Sequence, residues 1–228
     1  MDYQLITGEK RKDSDRNNEP DRKKMRQEYM LGKENDVNIY SNDNHIYYYS
    51  SVTKKSALEL NTEIRKVTRT LLRISSDFNT NPPPIYLHIN SYGGSVFAAL
   101  SVIDTIQYNP VPVYTIIEGA AASAATMISV HGKKRYITKS GHMLIHQLSS
   151  GFWGKMYEIE DESKNLKNLM KVIKKIYKKK SSIPEDKLDE ILKHDLWWKS
   201  KKCLKYGLVD KVIKGSWELF DENVKNKI

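Results

Sequence analysis

The chain has a single cysteine, Cys203. That excludes an intramolecular disulfide and fits a reducing compartment. No run of ~18 apolar residues occurs, so no membrane-spanning helix is expected. The N-terminus is charged and polar and lacks the apolar core of a secretory signal, which points to an intracellular, cytoplasmic protein. Neither GxGxxG nor a P-loop pattern is present, and no Cys/His set has metal-ligand spacing. His142 and His146 stand four apart, but on a strand that spacing holds them too far apart for easy shared ligation.

What is present is enough for one large domain: 228 residues, 39% of them hydrophobic. The formal charge is +10, a property shared with nucleic-acid binders. That reading rests on charge alone and ranks last, so nucleic acid is not an expected partner. Residues 1–40 hold near-equal numbers of acids and bases with almost no apolar periodicity, and read as a disordered charged tail. Within it, Lys10-Arg11 and Arg22-Lys-Lys-Met-Arg26 have the spacing of a two-part nuclear import signal, a pattern common in solvated tails.

From there strands and helices alternate. His45–Ser50 reads as a strand. Ser56-Ala-Leu-Glu59 reads as a capping box, opening a helix with a stripe at Leu60, Ile64, Val67, Leu71 and Ile74. Ile85–Ile89 is a strand, Tyr92–Ser95 a turn, and Val96–Tyr108 a helix. Val113–Ile117 is a buried strand, with helical spacing from the alanines that follow. Lys134–Thr138 and His142–His146 are short strand candidates. A long helix spans Tyr157–Lys179, with Leu166, Leu169, Met170, Ile173, Ile176 and Tyr177 on one face and six lysines on the other. Ser182-Ile-Pro-Glu185 caps a further helix that ends near Asp195. The order predicts an α/β domain with parallel strands.

Ser123 lies at a strand-to-helix junction among alanines, in Glu118-Gly-Ala-Ala-Ala-Ser123. Such a place suits a nucleophile whose reaction passes through an oxyanion, and also suits a small-residue contact between helix and sheet. Gly93-Gly94 follows a strand and precedes a helix, as an anion site or as an ordinary turn. His146 closes Met143-Leu-Ile-His146 at the end of a strand, where α/β sheets place their sites and where structural histidines also occur. Asp195 precedes Leu196-Trp-Trp198, a bulky patch able to shield a carboxylate that orients an imidazole.

In order along the chain, Ile85–Ser95 with its Tyr92-Gly-Gly-Ser, Gly119-Ala-Ala-Ala-Ser123, Met143-Leu-Ile-His-Gln147, Asp195 and Tyr206-Gly-Leu-Val-Asp210 resemble the ClpP family, the self-compartmentalised serine peptidases of the Clp protease. The resemblance implies a ClpP/crotonase-like superhelix of repeated β-β-α units with a protruding handle helix. It divides the chain into a tail (1–40), a peptidase domain (41–216) and a C-terminal extension (217–228). It implies Ser123 as nucleophile, His146 as general base, Asp195 as the residue that orients it, and the N–H groups of Gly94 and Ala124 as oxyanion donors. It implies polypeptide substrates cleaved through an acyl-enzyme, an oligomeric ring (heptameric or stacked), an AAA+ unfoldase ATPase as partner, and no metal or organic cofactor. The chain departs from the family's Ser-Pro-Gly-Gly at Ser91-Tyr-Gly-Gly94, from its Met-Gly after the nucleophile at Ala124-Ala125, and from its inter-ring acid–arginine pair at Lys193-His194. Two alternatives share the fold: a catalytically silent ring subunit and an acyl-CoA enzyme of the crotonase type.

Overall fold

The computed structural model describes residues 37–216 together with 218 and 219. The charged tail, its import-signal pattern and nearly all of the C-terminal extension lie outside the described residues.

Eight strands form one sheet. β1 (Ile39–Asn42) and β2 (His45–Tyr48) make an antiparallel hairpin with Asn42 opposite His45. The two-residue turn holds Asp43 at φ 52°, a conformation that Asp and Asn tolerate. β1 starts at Ile39, so strand structure begins just inside the segment read as tail. From β2 the sheet runs parallel through β3 (Ile85–Ser91), β4 (Val113–Ala122), β5 (Arg135–Thr138) and β8 (Lys211–Ile213). The parallel order is the one the strand–helix alternation predicts.

β4 is ten residues long and forks. Its Thr115–Ile117 stretch pairs with β5, and Ala120–Ala122 pair with β6 (His142–Leu144). Gly119, at φ 82°, separates the two stretches, a backbone angle that glycine reaches without a Cβ clash. The alanines are therefore strand, not the start of a helix as their spacing suggested. Small side chains are tolerated there because the ladder to β6, rather than packing volume, holds the segment.

α1 (Lys54–Asp77) begins two residues before the predicted box. Thr53 is its N-cap: its hydroxyl accepts from Ser56 N–H at 3.1 Å, and Ser56 Oγ accepts from Thr53 N–H at 2.9 Å. Leu60, Ile64, Val67 and Leu71 are buried as the stripe predicts, but Ile74 is 45% exposed because Ser75 takes the inward position of the last turn. α2 (Val96–Gln107), capped by Ser95, buries Ala99, Val102 and Ile103. These helices cover one sheet face, where Ile46, Leu87, Ile89 and Ile117 form the main core. A smaller cluster of Tyr86, Ile116, Tyr136, Ile213 and Leu219 sits on the other face.

α3 (Ala124–Ser129) is one short buried helix after β4. α4 (Met156–Lys180) is the long amphipathic helix of the sequence pattern, yet only Ile173 and Tyr177 are buried in it. Leu166, Leu169, Met170 and Ile176 are half-covered. On the lysine face, Lys174 Nζ pairs with Asp189 Oδ1 at 2.7 Å and Lys178 pairs with Glu185, while Lys167 and Lys175 stay solvated. α5 (Glu185–Leu192) is capped at Pro184 without a side-chain hydrogen bond, so Ser182 does not serve as its cap. It ends three residues before Asp195. β7 (Trp198–Lys199) and α6 (Ser200–Lys205) lead into β8. No described helix is long and apolar enough to cross a membrane.

Candidate active site

Ser123 stands between the last residue of β4 and the first of α3, at φ 53° and ψ −123°. A side-chain-bearing residue in this region is strained by roughly 1–3 kcal/mol and persists only when its surroundings hold it. Three hydrogen bonds do so. The Ser123 N–H donates to Leu144 O of β6 at 2.8 Å. The Ser123 carbonyl accepts from Thr126 N–H at 3.0 Å and from Thr126 Oγ1 at 2.6 Å. The turn thus presents its hydroxyl outward while its backbone is tied on both sides.

The Gly93-Gly94 turn lies directly against it. A Cβ on Gly93 would come within 2.6 Å of Ala122 O and 2.8 Å of Ser123 Cβ, so only glycine permits this approach. The turn is fixed from its other side by Val52, whose N–H donates to Gly93 O and whose carbonyl accepts from Ser95 N–H, both at 2.7 Å. Among the described residues the N–H groups of Gly94 and Ala124 have no protein acceptor.

His146 lies two residues beyond β6, and Asp195 two residues before the end of the loop that joins α5 to β7. β7 pairs antiparallel with β6, Met143 opposite Trp198, and Gln147 N–H donates to Leu192 O at 2.7 Å. Those two ties bring residues 49 apart in sequence into contact: His146 Nδ1 and Asp195 Oδ1 are 2.8 Å apart. The imidazole is 23% exposed and the carboxylate 77%. The expected shielding by Leu196-Trp-Trp198 is not found. Trp198 turns into the core, Leu196 is open to solvent, and Trp197 packs edge-on against Tyr92 at 6.1 Å. β7 turns Trp198 inward, and the preceding loop leaves Leu196 and the carboxylate uncovered.

Gly94, Ser123, Ala124 and His146 line one cleft of about 50 Å³, closed at the back by Met127, Ile173 and Tyr177. All five residues singled out from the sequence therefore gather at the C-terminal ends of β3, β4 and β6, with Asp195 joined through His146. Among the described residues no hydrogen bond yet links the Ser123 hydroxyl to His146. Free sites often hold such pairs loosely and tighten with substrate.

The remaining histidines do not join this cleft. His142 Nδ1 lies 2.8 Å from Ser140 O, and His131 Nδ1 lies 2.6 Å from Met127 O. His45 and His88 belong to a polar network on the opposite sheet face, which sequence spacing did not reveal. His45 Nδ1 is 2.9 Å from His88 Nε2. His88 Nδ1 stands 3.2 Å from Glu118 Oε1, near enough to attract but out of line for a hydrogen bond. Tyr49 donates its hydroxyl to Glu118 Oε2 at 2.8 Å. Burial pushes the Glu118 carboxyl up, but His88, Tyr49 and Ser216 outweigh it and hold the carboxyl at about 2. Burial and the neighbouring His88 press His45 down to about 4. Two hydroxyls behind the cleft, on Thr126 and Tyr177, also escaped the sequence reading. Among the described residues no cluster of His, Cys, Asp and Glu could hold a metal ion.

The Clp protease family model matches residues 33–216. The chain is 36% identical over 159 residues to the ATP-dependent Clp protease proteolytic subunit 2 of Treponema denticola, covering 68% of this chain and 78% of that protein. It is 35% identical over 131 residues to the ATP-dependent Clp protease proteolytic subunit of Deinococcus radiodurans, covering 57% of this chain and 64% of that one. Its fold superposes on a mutant of ClpP1 from Listeria monocytogenes with a TM-score of 0.67 at 21% identity, covering 78% of this chain and 95% of that one. Sequence and fold agree, and the chain belongs to the Clp protease family.

Proposed function

We propose that this chain is a serine endopeptidase subunit in which Ser123 attacks a peptide carbonyl, His146 takes the hydroxyl proton, and Asp195 orients His146. The observation that carries the reading is the 2.8 Å contact of Asp195 with His146 Nδ1, beside a serine held at φ 53° on the wall of the same cleft. The carboxylate accepts a hydrogen bond from Nδ1–H and so leaves the Nε2 lone pair as the base. As Ser123 Oγ bonds to the carbonyl carbon, its proton passes to Nε2 and the carbonyl oxygen becomes anionic. The N–H groups of Gly94 and Ala124, which have no acceptor among the described residues, donate to that oxygen. Loss of one such donor typically costs about 3 kcal/mol of transition-state stabilisation. Collapse of the intermediate breaks the C–N bond, and the amine leaves with the proton from Nε2. Water, deprotonated by the same imidazole, then hydrolyses the ester.

The substrate is an extended polypeptide, delivered within an oligomeric chamber in the cytoplasm. The names of the two bacterial relatives, both ATP-dependent proteolytic subunits, support an ATPase partner that feeds unfolded chains. A second reading, a subunit that builds the chamber without cutting, draws on the missing Ser123–His146 hydrogen bond and the uncovered Asp195. A fluorophosphonate probe separates the two. Covalent labelling of the assembled protein at Ser123, absent in Ser123→Ala, is expected. No labelling of assembled protein would favour the silent subunit.

A further inference from the structure

Behind the strained turn, three groups form an unbroken hydrogen-bonded chain. Tyr177 of α4 places its hydroxyl 2.5 Å from Thr126 Oγ1, and Thr126 Oγ1 donates to the Ser123 carbonyl at 2.6 Å. Because the Thr126 proton is committed to the carbonyl, the Tyr177 hydroxyl is the donor to Thr126. Tyr177 and Thr126 are both fully buried, so each bond acts in a dry environment where a linear chain strengthens its members. Burial also pushes the Tyr177 hydroxyl up to about 12, so it keeps its proton and stays a donor throughout the physiological range.

The chain ends on the atom group whose placement fixes Ser123. The Ser123 carbonyl is one of the two backbone groups that hold the residue at φ 53°, the other being its N–H on Leu144. The same helix also touches the segment that carries the base, since Leu148 N–H points at Met170 Sδ at 3.5 Å. α4 therefore reaches both halves of the site. Its N-terminal half is otherwise weakly covered, with no residue before Ile173 fully buried.

We propose that Tyr177, acting through Thr126, is a positioning residue: this hydroxyl relay locks the Ser123 turn and makes the aim of the nucleophile depend on how α4 is seated. The inference rests on the serine-peptidase reading for its effect on rate, and on the local geometry alone for its effect on the turn. Neither hydroxyl touches the reacting atoms, and the relay transfers no proton to them.

Tyr177→Phe keeps the ring that packs in the core and removes only the oxygen. Thr126→Val removes the relay's middle, and Thr126→Ser keeps it. Two readouts are taken on the assembled full-length protein: the rate of fluorophosphonate labelling and exchange of the Ser123 and Thr126 backbone amides, which bond Leu144 O and Ser123 O, by mass spectrometry. Tyr177→Phe and Thr126→Val are each expected to slow labelling about tenfold, as for loss of one buried hydrogen bond at a site that demands alignment, and to speed exchange. The peptide KM should stay near the wild-type value while kcat falls. The double variant should be no slower than the worse single one, and Thr126→Ser should keep close to the wild-type rate. A wild-type labelling rate and unchanged exchange in Tyr177→Phe would overturn the relay, as would equal losses in Thr126→Ser and Thr126→Val. If the wild type itself fails to label, the peptidase reading falls, and the exchange measurement alone then decides whether the relay holds the turn.

Discussion

At the scale of single residues, the site depends on how closely two turns approach. Gly93 has φ 97°, and the atoms that a Cβ would strike are backbone or the nucleophile's own Cβ. None can swing aside as a flexible side chain would. Gly93→Ala therefore combines positive-φ strain of about 1–3 kcal/mol with displacement of the Ser123 turn. The expected outcome is a fall in Tm of about 5 °C or more and near-complete loss of probe labelling. A normally labelled, equally stable variant would show that the two turns do not meet as described. Local patterns around Ser123, His146, Asp195 and Gly94 fitted ordinary structural roles as well, and only their ordered resemblance to the ClpP family singled them out. The sequence did not show Thr126 or Tyr177, since their only distinguishing feature is a bond across 51 positions. It misjudged the shielding of Asp195, since Trp198 enters the core on β7 while Leu196 stays on the open loop before it.

At the scale of elements, strand and helix order was legible because short, nearly continuous apolar runs such as Ile85–Ile89 and Val113–Ile117 alternate with stripes of period 3.6. The misplaced boundaries have local causes. A serine at the third helical position mimics an N-cap, and alanines, which favour helix, were held as strand by pairing with β6. Invisible in advance was what β2, β3 and β4 jointly place on the outer sheet face. His45 is held neutral there by burial and by His88, so its value of about 4 lies below the 6.5 of the unfolded chain. His131, buried against Met127 and facing Lys179 and Lys180, is also shifted down. Between these values the unfolded state binds more protons than the folded one, so stability rises with pH across that window. Stability from both histidines is complete above pH 6.5 and declines as the pH falls toward 4. Glu118 adds its own loss below its ordinary 4.5. Thermal melts from pH 7.5 to 4 should show Tm flat at first and then falling. His45→Gln should flatten part of that slope and leave the share carried by His131. A Tm independent of pH across this range would contradict the buried neutral state.

At the scale of the whole molecule, the folded part leaves more apolar surface open than a lone subunit needs. Phe97 is 72% exposed, and Leu58, Tyr108 and the outer face of α4 at Ile159 and Val172 are also open. Exposed apolar side chains of this kind offer surface for association. α4 also carries Lys164, Lys167, Lys171 and Lys175, and Lys193-His194 stand where the family has an acid–arginine pair. We propose that contacts within a ring and any contacts between rings respond oppositely to salt. The flanks around Leu58 and Phe97 are apolar, so their contacts should be nearly insensitive to salt. Contacts that bring the lysine-rich C-terminal half of α4 near the same half of a second α4 set like charges together, and that repulsion weakens, favouring the contact, as the screening length shortens from about 10 Å at 0.1 M salt to about 3 Å at 1 M. Light scattering should then find a species many times the 26.4 kDa of one chain at all salt concentrations, with its mass rising toward a doubled value at high salt. Phe97→Glu should reduce that mass and slow labelling of Ser123 together, because a buried unpaired charge opposes the subunit contact. A wild type that remains a single 26.4 kDa chain at every salt concentration would remove the chamber from this account.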